Sequence, residues 1–251
     1  MLQFLKFVRA HAPEYVFVEN VAGIQGLDSR TGLLGEFTRE LRRNGYEWDD
    51  GQILSQNYGV PQRRCRYVLI ASRFGKIEIP ATTHGPKSAN RRRYRTVEDV
   101  IRGLPVLAAG GEDVADPMHR AAKLEPINLE RIRCCQEGEG REKWPSHLRL
   151  PCHDGHRGHS DVYGRMSWKS PASALTTRCN SLSNGRFGHP EQDRAISVRE
   201  AALLQTFPRR YMFCGSMTSM ARQIGNAVPP RLAEVFGRHF VKHFEEHCGN
   251  G

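Results

Sequence analysis

Glu19 and three evenly spaced side chains further along the chain are of types that carry acid–base and anion-binding chemistry. Glu19 and Asn20 end the apolar run Tyr-Val-Phe-Val, and a glutamate at the end of a buried strand can hold or donate a proton. Gln62, Arg64 and Arg66 alternate, so in a strand they would share one face and offer amide and guanidinium donors to an anion or a base edge. By spacing alone, Glu19 could equally cap the next turn, and residues 62–66 could be a solvated edge strand.

Two later segments have the character of packing or turn sequences. Residues 199–208, Arg-Glu-Ala-Ala-Leu-Leu-Gln-Thr-Phe-Pro, follow Ser197, and the spacing from Ser197 to Glu200 predicts a capping box at the start of a helix. Residues 225–230, Gly-Asn-Ala-Val-Pro-Pro, predict a tight turn that leads into a helix, with Asn226 able to bond the backbone or a ligand. Neither segment specifies a function when it is taken alone.

Taken together and in this order, the four segments resemble the second half of the DNA cytosine-5 methyltransferase family. The resemblance spans nearly the whole chain, and four ordered motifs are far more specific than any single one. The matching residues are Glu19, Asn20 and Val21; Gln62, Arg64 and Arg66; Arg199, Glu200, Gln205, Phe207 and Pro208; and Gly225, Asn226, Val228 and Pro230.

The resemblance implies methylation of cytosine at C5 in double-stranded DNA, with S-adenosyl-L-methionine as the cofactor. In this chemistry a cysteine thiolate attacks C6 of a cytosine that has been flipped out of the duplex, and negative charge develops on the ring. The resemblance assigns Glu19, with Asn20 beside it, to proton donation at N3 of that ring. It assigns Arg66, together with Arg64, to the O2 edge of the base and to nearby phosphates.

The family's Gly-rich cofactor loop and Pro-Cys-Gln nucleophile loop both precede its glutamate motif, and residues 1–18 contain neither. Cys152 and Cys135 lie outside the family position, so we assign no nucleophile. The resemblance gives Asn226 and Val228 the cofactor's end of the cleft. We therefore expect the target-recognition half of a split or truncated methyltransferase, with a complementing methyltransferase subunit that supplies the nucleophile and shares the cofactor. A catalytically inactive DNA-binding fragment and a non-enzymatic DNA-binding module are the alternatives.

The charge of the chain favours a polyanionic partner. Lys and Arg number 37 against 27 Asp and Glu, which gives a net charge of +10. Thirty of the basic residues are Arg, whose planar fork binds phosphates and guanine edges with two bonds. Double-stranded DNA is the predicted partner, and genomic base composition that enriches Arg is the alternative reason for this bias. The residues expected to contact DNA are Gln62, Arg91, Arg92, Arg93, Arg178 and Arg186.

Seven irregularly spaced cysteines without an export signal predict reduced thiols in a cytoplasmic protein of bacterial type. No apolar run is long enough to predict a membrane span. Cys152, His153, His156 and His159 crowd into one short segment rich in Gly and Asp, whereas structural zinc sites pair two separated couples of ligands. We predict a polar loop there and no metal. The family resemblance also points to a restriction–modification system.

The functional residues must be positioned by an α/β fold. Residues 1–84 alternate helix and strand and predict part of the Rossmann-like sheet of an S-adenosylmethionine-dependent methyltransferase, with a buried parallel strand at 15–20. Helices are predicted over 2–12 and up to a stop at Asn44-Gly45, and strands over 47–54 and 66–72. Residues 85–195 predict a smaller, loop-rich, mainly β target-recognition domain. Residues 196–251 return to the catalytic domain as helices.

Overall fold

We analysed a computed structural model, which describes residues 2–23, 32–89, 91–153 and 161–248. Helices and strands alternate in the N-terminal part, as the sequence predicts. Its elements are α1 (Leu2–His11), β1 (Tyr15–Asn20), α2 (Leu33–Arg43), β2 (Glu47–Leu54), β3 (Gln62–Arg63) and β4 (Cys65–Ser72). The predicted helix stop is confirmed, because α2 ends at Arg43, Asn44 is its C-cap, and Gly45 follows with a φ of +77°.

The main sheet has three strands in the order β1-β4-β2, and both neighbours of β4 run antiparallel to it. The prediction that Tyr15–Asn20 is a parallel strand is therefore wrong in its direction. An apolar run reports burial on both faces of a sheet and carries no information on strand direction. The predicted burial of this strand is also incomplete: only Val16 of β1 is buried, and the fully buried strand residues are Tyr67–Ala71 of β4, at the centre of the sheet.

Helices cover both faces of this sheet. On one face, α1 and α2 pack Leu5 and Phe37 against Val16 and Leu69. On the other face lies the long C-terminal helix α7 (Pro230–Cys248), which packs Leu232 and Phe236 against the strands. Because successive side chains of a strand point to opposite faces, each strand contributes to both layers. The result is a helix–sheet–helix arrangement that positions the ends of β1 and β4.

The middle of the chain is loop-rich, as predicted, and its regular strands are short. Its elements are α3 (Glu98–Ile101), β5 (Glu112–Asp113), β6 (Asp116–Arg120), α4 (Pro126–Arg133) and β7 (Ala172–Ser173). Buried Arg165 stabilises the loops here by donating to the carbonyls of Ile132, Cys135, His189 and Gln192. A guanidinium has five donors, so a single side chain can bond several loop carbonyls that no strand pairs.

Two further helices, α5 (Val198–Leu204) and α6 (Met217–Asn226), follow the middle segment. The predicted capping box is present: Ser197 Oγ accepts the Glu200 N–H at 3.0 Å, and the Ser197 N–H donates to Glu200 Oε2 at 2.6 Å. The largest apolar cluster combines Val198–Leu204 with side chains from 97–118 and 166–187. Packing therefore continues across residue 195, where the composition changes. None of the helices in the described part of the chain is both long and apolar enough to cross a membrane.

Candidate active site

The end of β1 and the start of β4 bring Glu19 and Arg66 together. In the antiparallel register Glu19 lies opposite Val68, and Arg66, two residues earlier, projects from the same face as Val68. Arg66 Nε lies 3.0 Å from Glu19 Oε1, and only 18% and 14% of the two side chains are exposed. The two side chains therefore form a shielded ion pair at the end of the sheet.

This ion pair leaves hydrogen-bonding capacity on the carboxylate. Glu19 Oε1 is buried but has no aligned hydrogen-bond donor in the described part of the chain, so its contact with Arg66 is one of charge. Arg66 instead donates from Nη1 to the carbonyl of Cys65 at 2.7 Å. A buried acceptor without a donor costs about 1–3 kcal/mol. Glu19 Oε1 is thus suited to accept an N–H group from a bound molecule.

Asn20 ends β1 and turns the chain away from the sheet. Its Oδ1 accepts the N–H of Val21 at 2.8 Å, and Val21 is 58% exposed. A local bond of this kind competes with strand pairing, which gives a physical reason for the strand to end here. Asn20 therefore fixes the direction of the chain immediately after Glu19.

Arg64 does not share the exposed position expected for it. It is only 2% exposed, and it donates from Nη1 to the Leu175 carbonyl at 2.9 Å and from Nη2 to the Gly225 carbonyl at 3.0 Å. Burial, followed by the charge of Arg66, lowers the pKa of Arg64 to about 10, whereas Glu19 acts in the opposite direction. Arg64 thus joins a middle-segment loop to the end of α6, and the predicted contact with the base edge or phosphates does not fit this geometry.

Gln62 also lies in the interior rather than on a DNA-facing surface. It is fully buried, its Oε1 accepts the Leu175 N–H at 2.9 Å, and its Nε2 donates to Gln205 Oε1 at 2.6 Å. Gln205 in turn donates to the carbonyls of Ile224 and Ala227 at 3.0 and 2.6 Å. The predicted DNA contact of Gln62 does not fit this burial. We call Gln62, Arg64 and Gln205 the buried polar cluster.

The turn after α6 closes against the same loop. A Cβ on Gly225 would lie 2.2 Å from the Thr176 carbonyl oxygen, so only glycine permits this approach. Asn226 is exposed at the end of α6, and Val228 is half-buried and packs against the cluster formed by α7 and the sheet. The two residues that the sequence assigns to the cofactor therefore lie on a turn that Gln205 and Arg64 hold in place.

The first two residues of the 199–208 motif make ion pairs inside the protein. Arg199 binds Asp116 through Nε at 2.5 Å and Nη2 at 2.9 Å, which attaches α5 to β6. Glu200 binds Arg194 through two contacts of 2.7 Å, and both side chains are buried. Sequence reasoning missed both partners, because neither Asp116 nor Arg194 lies at a spacing that indicates a pair.

A family model described as C-5 cytosine-specific DNA methylase matches residues 1–242. The chain belongs to the C-5 cytosine-specific DNA methylase family. It is 42% identical over 252 residues to the type II methylase M.HgiDII of Herpetosiphon aurantiacus, covering 98% of this chain and 69% of the relative. It is 31% identical to the type II methyltransferase M1.HphI of Haemophilus parahaemolyticus, covering 96% of this chain and 60% of the relative. The chain thus spans about two thirds of these relatives.

Solved structures share the fold of this methylase chain. A DNA modification methyltransferase encoded within an E. coli prophage superposes with a TM-score of 0.70 at 21% identity, covering 96% of this chain and 72% of that one. The Dnmt2 methyltransferase of S. pombe gives a TM-score of 0.59 at 17% identity, covering 97% and 72%. The predicted α/β, partial methyltransferase fold is confirmed by these likenesses.

The arginines that the sequence assigns to DNA differ in their surroundings. Arg91, Arg92 and Arg178 are exposed. Arg93 is also exposed, but it binds Asp99 through two contacts of 2.7 Å, and these bonds hold the pKa of Asp99 well below its usual range. Arg186 donates from Nη1 to the carbonyls of Gly138 and Glu139 and lines a cavity of about 300 Å³. Arg178 follows directly after the loop that the buried polar cluster holds, and its side chain is open to a partner.

The methylase reaction needs a thiolate, and the cysteines of this chain give a poor match to that need. Cys65 is next to Arg66 in sequence but projects from the other face of β4, where its Sγ lies 3.6 Å from Gln52 Oε1. Burial raises the pKa of Cys179 to about 12, which leaves it as a packing thiol. Burial likewise raises the pKa of Cys135.

Among the residues that the structure describes, no group of three or more His, Cys, Asp or Glu side chains is arranged to hold a metal ion. Cys152, in the predicted polar loop, is exposed. His156 and His159 lie outside the described residues.

Proposed function

We propose that this chain is the target-recognition half of a DNA cytosine-5 methyltransferase that acts on double-stranded DNA with S-adenosyl-L-methionine. The observation that carries the proposal is the shielded pair of Glu19 and Arg66, in which one buried carboxylate oxygen has no aligned donor. A cytosine ring that is protonated at N3 would offer an N–H to that oxygen. The relatives that support this proposal are named type II methylases.

In this proposal the chain's own residues handle the charge that develops on the base. Glu19 takes up a proton from solvent as the base binds and passes it to N3 as negative charge develops. Arg66, 3.0 Å from Glu19, supplies a fixed positive charge at the same edge of the ring and pairs with the carboxylate that remains. Both side chains are mostly shielded from water, and electrostatic interactions in such shielded positions are stronger than at an exposed surface. S-adenosyl-L-methionine, when bound, supplies the methyl group.

The part of the cofactor site that this chain supplies is small. Asn226 offers an exposed amide at the end of α6, and Val228 offers a half-buried apolar surface two residues further on. An amide beside an apolar side chain fits one polar edge of a nucleoside or amino-acid group but cannot enclose it. The remaining contacts must come from other polypeptide.

We infer that this other polypeptide, a complementing methyltransferase subunit or segment, also supplies the cysteine nucleophile. In the described part of the chain, β1 is at the edge of the sheet, so one side of its backbone is free to pair with another strand. Phe4, Phe7 and Leu33 are exposed by 37%, 52% and 52% on α1 and α2, the helices that cover one face of this sheet. Exposed apolar side chains beside an unpaired strand suit a partner that continues the sheet.

We assign the activity to the bacterial cytoplasm, as the modification enzyme of a type II restriction–modification system. The names of the bacterial relatives support this setting. The sequence specificity of such an enzyme would depend on the middle segment, where Arg178 is exposed on a firmly held loop. Base-edge contacts rather than phosphate contacts would then decide the target.

The experiment is methylation of duplex DNA by this chain together with a polypeptide that carries the Gly-rich and Pro-Cys-Gln loops. Glu19→Gln should lower single-turnover methylation by about 100- to 10,000-fold, equivalent to roughly 3–5 kcal/mol, and should change duplex affinity much less. The reason is that the proton at N3 matters most once the ring has become electron-rich. The purified chain alone should not transfer methyl groups.

Glu47→Gln is the matched control, because Glu47 is exposed on β2, away from the end of β1. It should methylate at the rate of the parent. If Glu19→Gln methylates within about threefold of the parent, proton donation by Glu19 is excluded. If duplex binding is normal but no complementing polypeptide restores methylation, the chain is a DNA-binding module.

A further inference from the structure

A short loop of the middle segment brings a histidine and two arginines to one open cavity. The Gly85 N–H donates to the Arg92 carbonyl at 2.7 Å, which closes the loop and places His84 beside Arg92. Gly85 has a φ of +94°, and a Cβ there would lie 2.5 Å from the hydroxyl of Tyr94. The loop therefore requires glycine, and its closure is fixed by the backbone rather than by flexible side chains.

His84 is the firmly held member of this group. Only 9% of it is exposed, and its ring Nδ1 lies 2.9 Å from Thr83 Oγ1. The backbone N–H of His84 donates to the Asn57 carbonyl at 2.9 Å. The ring packs so closely on Gly59 that a Cβ there would lie 2.6 Å from it. Nε2 of this ring has no hydrogen-bond partner within the described residues, and the ring lines a cavity of about 450 Å³.

The cavity has an excess of positive charge. Arg92, Arg93 and Arg95 line it together with one carboxylate, Asp99, and that carboxylate is already bound through both oxygens by Arg93. Within the parts of the chain that the structure describes, neither Arg92 nor Arg95 makes an ion pair. Two guanidinium groups beside the cavity are therefore left without a counter-charge.

The charges act on His84 as well. Burial, followed by the positive charges of Arg231, Arg92 and Arg95, lowers the pKa of His84 below its ordinary value. Arg231 lies in the first turn of α7, where its own charge is shared with Glu234 at 2.7 Å. A group of cations that repel one another at a built concavity is the arrangement that an oxyanion stabilises.

We infer that His84, Arg92 and Arg95 form a clamp for one backbone phosphate of duplex DNA, and that Arg93 takes no part in it. The inference rests on the proposed function for the choice of DNA. Two guanidinium forks and an imidazole N–H can share the two non-bridging oxygens of a backbone phosphodiester, since each of these oxygens accepts more than one hydrogen bond, whereas the cationic lining excludes a metal ion. We call these three residues the phosphate clamp.

The test compares duplex DNA binding by the full chain with that of two variants at several salt concentrations between about 0.05 and 0.3 M. Each neutralised phosphate contributes about −0.9 to the slope of log affinity against log salt concentration. Arg92→Gln combined with Arg95→Gln should make that slope less steep by about 0.9 and should weaken binding roughly eightfold at 0.1 M salt. Arg93→Gln, which removes one positive charge from the same segment, should leave the slope unchanged.

An unchanged slope in the double variant, or an equal loss in Arg93→Gln, would overturn the clamp and leave the proposed function intact. A second measurement follows the His84 ring protons by NMR during titration with inorganic phosphate, using His84→Gln for assignment. Phosphate should raise the pKa of His84 in the parent and not in the double variant. A response to phosphate in a chain that does not bind duplex DNA would mean that the clamp takes free phosphate and that the proposed function fails. No response in the parent would overturn the clamp itself.

Discussion

Glu200 offers a direct measure of how much one motif residue contributes to the stability of the fold. It pairs with Arg194 through two contacts of 2.7 Å, and the side chains are 1% and 0% exposed. Glu200→Gln keeps the volume and the oxygen that accepts the Ser197 N–H, since glutamine also serves in a capping box. The substitution removes the negative charge that faces Arg194, and it also replaces the oxygen that accepts from Arg194 Nη2 by an NH2 donor.

The expected loss follows from leaving Arg194 buried without a counter-charge. Removing one partner of a buried ion pair typically costs about 3–5 kcal/mol. Arg194 keeps two neutral acceptors, Gln192 Oε1 at 2.8 Å and the Ala195 carbonyl at 3.1 Å. Because these acceptors soften the loss, we expect about 3 kcal/mol, which corresponds to a fall of roughly 6–12 °C in Tm for a chain of this size.

The assay is urea unfolding of the full chain near neutral pH and again in acid, with Glu112→Gln as an exposed control. Burial alone disfavours the Glu200 carboxylate, but the hydrogen bonds and charge of Arg194 outweigh it, and the pKa of Glu200 lies below its ordinary value. Its stabilisation is therefore present above the ordinary glutamate pKa and is lost as the pH falls through the lowered one. The difference in unfolding free energy between parent and variant should become smaller in that acidic range. A loss below about 1 kcal/mol at neutral pH, or a gap that does not change in acid, would refute this reasoning.

Two further substitutions test the packing around the site. Gly225→Ala should destabilise the chain by about 2 kcal/mol or more, because its Cβ would lie 2.2 Å from the Thr176 carbonyl oxygen. Gly237→Ala on α7, where the Cβ would meet open space, should instead stabilise the chain by about 0.5–1 kcal/mol. Equal effects of the two substitutions in thermal unfolding would contradict the close approach at Gly225. Gln62→Leu should cost about 1–3 kcal/mol of unfolding free energy by leaving Gln205 Oε1 without its donor, with the salt slope of DNA binding unchanged; a change in that slope would restore Gln62 as a DNA contact.

The local signals in the sequence predicted elements well where the physical cause is itself local. Asn44-Gly45 ends α2, and Ser197 and Glu200 begin α5, because caps and left-handed glycines act within one turn of helix. Strand direction has no such local signature. The antiparallel pairing of β1 with β4 depends on how the chain returns from β2, and no property of residues 15–20 records that path.

The site was predicted in part for a similar reason. Alternation predicts that Gln62, Arg64 and Arg66 share one strand face, but it does not say whether that face meets solvent or protein, and Arg64 lies between β3 and β4 rather than within a strand. The backbone groups that bind Gln62 and Arg64 belong to residues 175 and 225, more than a hundred positions away: the Leu175 N–H for Gln62, and the Leu175 and Gly225 carbonyls for Arg64. Glu19 and Arg66, by contrast, lie near strand ends, where the sheet itself brings them to 3.0 Å.

The motif residues of this methylase chain thus divide by what they contact. Glu19, beside Arg66, keeps one buried oxygen without a donor, whereas the buried polar cluster of Gln62, Arg64 and Gln205 binds mostly backbone groups. Two members of that cluster, Gln62 and Arg64, form hydrogen bonds with the backbone of Leu175, which lies at the start of the exposed loop that leads to Arg178. Because backbone groups are present whatever the side chains are, the loop can change its outward residues without shifting relative to Glu19 and Arg66. Under the proposed function, a loop held at a fixed distance from Glu19 and Arg66 would let one chemistry serve different target sequences.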